Sequence, residues 1–247
     1  MKAMILAAGL GTRLKPFTNA HPKALYVVNG KTLLEHSLEH LKTAGISEVI
    51  INVHHFASQI IDYLAQHDQF GMQFSFSDES VELLETGGGV KMAAWFFHDC
   101  ETAIIRNVDI ISDLDIMKFS AYHETTGSLA TLAIRKRETS RYFLFDGSMQ
   151  MCGWENRKTG ERVIAREPAP CNPNPSALEN EPFMKPGCLT PYAFSGIQVI
   201  NTEIFQLISE EGKFSLTDLY LRLAKDHQIS GYIEEGLFWR DAGRHDE

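Results

Sequence analysis

The first 34 residues contain no aspartate or glutamate. They do contain Lys2, Arg13, Lys15, Lys23 and Lys31, so they carry +5 in a chain of net charge −9, and the remainder carries −14. The overall sign argues against nonspecific nucleic-acid binding. A basic segment in an acidic chain is instead suited to focusing a small polyanion. Long apolar runs are also missing: none approaches the roughly 20 residues that span a bilayer. The apolar part of "MKAMILAAGLG" is short and runs straight into a glycine loop, which reads as a buried strand rather than a signal peptide. Cys100, Cys152, Cys171 and Cys188 form no C-x-x-C pair. That pattern argues against zinc or a disulfide framework and for the free thiols of a cytoplasmic protein. What remains, 44% hydrophobic and 22% charged over 247 residues, is enough for a full core.

Periodicity predicts strand–helix alternation in the first half. "AMILAA", "SEVIINV", "MQFSFS", "TAIIRNVD" and "LATLAIRKR" read as strands. "KTLLEHSLEHLKTAG", "ASQIIDYLAQH", "GGVKMAAWFF" and "DLDIMKFSAYHETTG" read as helices, with Gly45 and Gly127 placed as C-terminal caps. This predicts an α/β, Rossmann-like three-layer fold with a mostly parallel central sheet. After residue 138 the pattern changes. "RYFLFDGSMQMCGW" reads as a hairpin turning at Asp146-Gly147. Residues 168–191 read as a proline-rich surface excursion or lid, and "ISGYIEEGLFWRDAG" as a final strand pair. The expectation is a single domain, 1–247, with a nucleotide-binding half (1–137) and a β-rich, sugar-binding and closing half (138–247).

The stretch "MILAAGLGTRLKPF" places two glycines, an arginine and a lysine directly after a buried strand. Glycine lets backbone N–H groups approach a bound anion closely. The loop is neither G-x-x-x-x-G-K-[ST] nor G-x-G-x-x-G, because Leu14 stands where the third glycine belongs. "HPKAL" adds Lys23, and "LLETGGGVK" opens a helix on three glycines, where a base or ribose could lie on bare backbone. Asp109 follows a strand end, the place where open α/β sheets gather ligands, and is a natural Mg²⁺ ligand beside a phosphate.

G-L-G-T-R-L-K-P followed by H-P-K-A-L resembles the signature of the sugar-phosphate nucleotidyltransferases. N-V-D resembles their metal-aspartate motif, Y-A-F-S-G-I their sugar-binding strand, and W-R-D-A-G their second metal motif. The resemblance implies an enzyme that joins an NTP to a sugar 1-phosphate and releases pyrophosphate. It assigns catalysis to Arg13 and Lys23 and Mg²⁺ to Asp109 and Asp241. Nucleotide contacts fall to Ala8, Gly9, Gly11, Thr12, Glu85, Thr86 and Gly87, and sugar contacts to Asn107, Ser195 and Gly196. The L-E-T-G-G-G stretch is similar to that of N-acetylmuramate 1-phosphate uridylyltransferases of peptidoglycan recycling. Related stretches in guanylyltransferases acting on mannose or heptose phosphates keep that alternative open, as does a non-catalytic nucleotide-sugar binding protein. The implied partners are small molecules, with no nucleic acid or membrane, and the protein is expected as a monomer or homodimer.

Other features read as ordinary structure. His36 and His40, four apart, read as a solvated or subunit-facing helix surface rather than a zinc pair. "RKRE" (135–138) reads as a solvated strand end. Trp95, Phe96 and Phe97 read as core or interface.

Overall fold

Alternation along β1 (Lys2–Leu6) decides the two sides of the molecule. Ala3 and Ile5 fall in one buried cluster and Met4 in another, so the strand is covered on both faces. A computed structural model describes residues 1–169, 189–234 and 236–243. Most of the 168–191 excursion, with Cys171 and Cys188, lies outside the described residues. Cys100 and Cys152 are free thiols.

A short ribbon of β2 (Val27–Val28) and β3 (Lys31–Thr32) leads into α1 (Leu33–Thr43). That helix begins where Thr32 Oγ1 accepts from Glu35 N at 3.1 Å and the Glu35 carboxylate accepts from Thr32 N at 2.6 Å. Such a reciprocal cap satisfies two orphan donors and is worth about 1 kcal/mol. The helix ends as Gly45 takes φ +73°. Then follow β4 (Glu48–Val53), α2 (Ala57–Gln66), β5 (Gln73–Asp78) and α3 (Glu85–Met92). After these come β6 (Thr102–Asn107), β7 (Ile110–Ser112), α4 (Ile116–Thr126) and β8 (Ala130–Arg135). The second half supplies β9 (Arg141–Phe145), β10 (Met151–Asn156), β11 (Glu161–Ile164) and the long β12 (Thr190–Asn201). It closes with α5 (Leu216–Leu223), β13 (Ile229–Ile233) and β14 (Trp239–Asp241).

Among the described residues, ten strands form one sheet. β6, β1, β4 and β5 run parallel in that order, and β13 runs parallel to β8. β12 is antiparallel to β6, β8 and β9, and so ties the parallel part to the antiparallel β9–β10–β11 extension. α1, α2 and α4 bury Leu34, Leu38, Leu41, Ile60, Leu64 and Phe119 against one face. α3 and α5 bury Val90, Leu216, Leu219 and Leu223 against the other, which completes three layers.

Two local expectations change. The β9–β10 hairpin is present, but its loop spans residues 146–150 instead of turning on Asp146-Gly147 alone. The buried Asp146 carboxylate accepts from Ser148 N, Gln150 N and Ala169 N, which replaces a two-residue turn by a side-chain-organised loop. β13 and β14 do not pair with each other: β13 lies beside β8, and β14 crosses to pair antiparallel with β7.

Candidate active site

The parallel strands point their carboxyl ends at one cleft, and the charged loops sit there. β1 ends in the glycine loop, β4 in Asn52 and Val53, β5 in Asp78 and Glu79, and β6 in Asn107 followed by Asp109. Ala8, Gly9, Arg13, Lys23, Glu85, Thr86, Asn107, Asp109 and Gly196 line a cleft of about 800 Å³. A lobe of about 270 Å³ continues from it and adds Asp241. Ten of the residues expected from sequence therefore meet in one place.

Four charged groups form the inner end. Lys23 Nζ is ion-paired with Asp109, whose carboxylate is mostly buried. Arg13 Nη1 lies 3.7 Å from Asp241 Oδ2. Asp241 reaches Asp109 because β14 pairs with β7 in a register that sets Asp241 opposite Ile110. The Asp109 carbonyl accepts from Ala242 N at 2.9 Å, and Asp241 Oδ1 accepts from Gly243 N at 3.0 Å. A Cβ on Gly243 would overlap Asp109 Oδ2 and stand 3.0 Å from Asp241 Oδ1, so glycine lets the chain pass between the two carboxylates. No cluster of three or more His, Cys, Asp or Glu suited to a metal occurs among the described residues. The donor set fits Mg²⁺, which takes one or two carboxylates and completes its shell with water and substrate phosphates.

Gly11, Thr12, Gly87 and Ser195 are not brought to the cleft lining. Gly11 has φ +58°, and a Cβ there would press Lys23 Cβ and Thr18 Cγ2 at 2.9 Å. Its backbone shape therefore packs the loop against the Lys23 segment. Thr12 is exposed. Ser195 is fully buried, and its carbonyl accepts from Trp239 Nε1 at 2.8 Å. The triple glycine does not offer bare backbone to a base. The N–H groups of Gly87 and Gly88 donate to the Phe214 carbonyl at 2.9 and 3.2 Å. A Cβ on Gly87 would overlap the Phe214 ring, and one on Gly88 would come 2.5 Å from the Gly212 carbonyl oxygen. These glycines let α3 touch the segment before α5. Nearby, Thr86 Oγ1 accepts from Leu216 N at 3.0 Å, and Glu85 lines the cleft with φ +60°.

Sequence reasoning missed Asn52 and Glu79. Asn52 Oδ1 accepts from Ala7 N at 2.6 Å and Ala8 N at 3.3 Å, and its Nδ2 donates to Glu79 Oε1 at 2.7 Å. Glu79 Oε2 accepts from Leu84 N at 3.0 Å. One buried carboxamide–carboxylate pair thus ties the glycine loop to the start of α3. A Cβ on Gly89 would come 2.5 Å from Glu79 Oε1, so the third glycine makes room for that pair. The arginines of "RKRE" are half-buried, while Lys136 and Glu138 are exposed. Arg135 and Arg137 lie over the Trp239 ring, 5.1 and 4.6 Å from its centroid, and Arg137 Nη2 donates to the Phe194 carbonyl. The indole face packs against both guanidiniums, and Arg137 lines the smaller lobe with Trp239.

A parallel-cored α/β sheet, with basic loops facing two carboxylates at its strand ends, defines a phosphate-handling transferase site. Residues 2–247 match the nucleotidyl transferase family model, and the chain belongs to that family as a sugar-phosphate nucleotidyltransferase. It is 31% identical over 246 residues to an N-acetylmuramate alpha-1-phosphate uridylyltransferase of Caulobacter vibrioides, covering 98% of this chain and 91% of that one. It is 27% identical to a mannose-1-phosphate guanyltransferase of Gibberella zeae, covering 99% of this chain and 61% of that protein. Among solved structures it is similar to a Bacillus anthracis protein described as a glucose-1-phosphate thymidylyltransferase. That match has a TM-score of 0.77 at 18% identity and covers 99% and 91% of the two chains. HddC of Yersinia pseudotuberculosis, complexed with GMP-PN, has a TM-score of 0.73 at 22% identity and covers 98% and 93%. No helix among the described residues is long and apolar enough to cross a membrane.

Proposed function

We propose that the protein joins UTP to N-acetylmuramate 1-phosphate, giving UDP-N-acetylmuramate and pyrophosphate, as a step of peptidoglycan recycling in the cytoplasm. The observation that carries the chemistry is the Arg13–Lys23–Asp109–Asp241 cluster at the strand ends. A sugar phosphate oxygen attacks the α-phosphorus in line. The new O–P bond forms as the Pα–O–Pβ bond breaks, and the pyrophosphate carries the electron pair away. The nucleophile is already anionic, so no general base is required; the barrier is repulsion between polyanions. Lys23 neutralises the approaching phosphates, and Arg13 takes charge from the leaving pyrophosphate. Asp109 and Asp241 would hold Mg²⁺, which when bound offsets the charge developing on the phosphates. Glu85 and Thr86 face the nucleotide end of the cleft, and Asn107 and Gly196 face the sugar end.

The sugar lobe supports an acidic substrate. Arg13, Arg137 and Arg141 line it with Trp154, Trp239 and Phe194. Its described lining acids are Asp109 and Asp241, both at the inner, metal-binding end. Guanidiniums framed by indoles suit a carboxylate, and N-acetylmuramate carries one on its lactyl ether. Incubating the protein with Mg²⁺, each NTP and a panel of sugar 1-phosphates, with pyrophosphate detection, tests the reading. The expected outcome is turnover with UTP and N-acetylmuramate 1-phosphate and much less with N-acetylglucosamine 1-phosphate, which lacks the lactyl carboxylate. Turnover with GTP and mannose 1-phosphate but not with UTP would overturn it.

A further inference from the structure

Arg106 is the largest side chain among the fully buried ones, with 1% of its surface exposed, yet it sits on the strand that delivers Asp109. Among the described residues it makes no ion pair with a carboxylate. Its hydrogen bonds go elsewhere. Nη2 donates to the Ile110 carbonyl at 2.5 Å, and Nη1 donates to His40 Nδ1 at 2.9 Å and to the Ser37 carbonyl at 3.4 Å. His40 Nε2 lies 2.6 Å from the Leu114 carbonyl. A carbonyl only accepts, so His40 carries its proton on Nε2, and Nδ1 is the bare nitrogen that receives Arg106. Ser37 Oγ donates to the Val108 carbonyl at 3.3 Å.

These contacts share a target. The carbonyls of Val108, Ile110 and Leu114, on either side of Asp109 and along the segment after it, are each held by a side chain that α1 or β6 supplies. The Asp109 carbonyl is held from the other side by Ala242. His40 is therefore not a solvated surface group but belongs to this network, while the half-buried His36 has Nε2 2.9 Å from the Val28 carbonyl.

We infer that Arg106 and His40 are positioning residues for Asp109, holding the turn between β6 and β7 so that its carboxylate faces Lys23 and the strand carrying Asp241. The guanidinium also places a buried positive charge behind that carboxylate. The buried environment agrees with this arrangement. Burial, then the Arg106 charge, lowers the His40 pKa to about 4, which keeps the ring neutral and able to accept. Burial lowers the Arg106 pKa to about 10, against the pull of Asp109, and leaves it charged at neutral pH. The inference rests on the reading of Asp109 as a metal ligand, and the experiment separates the two.

Pyrophosphate release is measured against Mg²⁺ concentration for wild type, Asp109→Asn, Arg106→Met, His40→Leu and His40→Gln. Removing a group that orients a metal ligand typically costs about 10–100-fold in affinity or activity. Arg106→Met and His40→Leu are expected to need roughly tenfold more Mg²⁺, with the KM for the NTP little changed. His40→Gln, whose amide can both donate and accept, is expected to recover most of the loss. A turnover-competent Asp109→Asn would remove the metal reading itself. A dead Asp109→Asn beside wild-type Mg²⁺ dependence in folded Arg106→Met and His40→Leu would overturn the positioning role alone. Nitrogen-15 NMR of the folded wild type gives a readout independent of activity. The expected signature is an Nε2–H tautomer of His40 that stays neutral down to about pH 4; titration near the ordinary 6.5, among its neighbours Arg106, Asp113 and Asp115, would overturn the clamp.

Discussion

Lys23 and Asp109 stabilise each other while no substrate is bound, since both side chains are largely buried and paired. Removing one partner strands the other in a low-dielectric site, which is more costly than removing both. Lys23→Ala is therefore expected to lower the melting temperature, and Lys23→Ala with Asp109→Asn to regain part of it in a double-mutant cycle. In kinetics, Lys23→Ala should cut kcat by about a hundredfold, the value of roughly 3 kcal/mol of lost transition-state contact, with a smaller change in NTP binding. Unchanged turnover in the folded variant would refute the role. Gly87→Ala presses a methyl into the Phe214 ring, and a loss of about 1–3 kcal/mol in urea unfolding is expected. Arg13 was legible as a charge in a glycine loop just past an apolar strand, Asp109 as an acid past a strand end, and Lys23 through the H-P-K-A-L resemblance. Asn52 and Glu79 were not: one sits inside "IINV" and the other in "SDES", and nothing local shows that they will meet. The triple glycine was legible as a close approach, but the partner was backbone and Phe214.

The elements of the first half followed hydrophobic periodicity because each helix and strand buries a regular face. Periodicity says nothing of partners, so the destinations of β13 and β14 and the three-way pairing of β12 came only from the fold. Two of the flanking helices each bury a histidine. His40 in α1 and His123 in α4 both have pKa values lowered to about 4, by burial first in each case. His123 Nδ1 also lies 2.8 Å from Thr131 Oγ1. The unfolded chain binds these two protons near pH 6.5 and the folded chain only near 4, so stability falls as pH drops through that window. Urea midpoints recorded from pH 7 to pH 5 should decline with a slope approaching two protons. His123→Gln should remove about one of them. A flat profile from pH 7 to pH 5 would contradict the buried, neutral state of these rings.

At the scale of the molecule, one sheet runs through both halves, yet the candidate metal site is shared between that sheet and a separate ribbon. Asp109 follows a strand held on both sides, by β1 and by β12. Asp241 rides on β14, which is joined to β7 by three residue pairs and belongs to a two-stranded sheet of its own. A variant ending after residue 236 keeps the ten strands but loses Asp241 and the amide that holds the Asp109 carbonyl. It is expected to fold, as judged by circular dichroism, and to release no pyrophosphate.

That division also sets how readily each part opens in the native state. Amides of β12, bonded to three neighbouring strands, can exchange with deuterium only when most of the protein comes apart, whereas a three-pair ribbon opens at a fraction of that free energy. One of the two carboxylates is thus mounted on a segment tied to Asp109 by the Ala242 amide and expected to open more readily than the sheet until a second bridge forms. A nucleotide with its cation would be such a bridge, and its arrival should slow exchange at residues 239–243 while leaving β12 as slow as before.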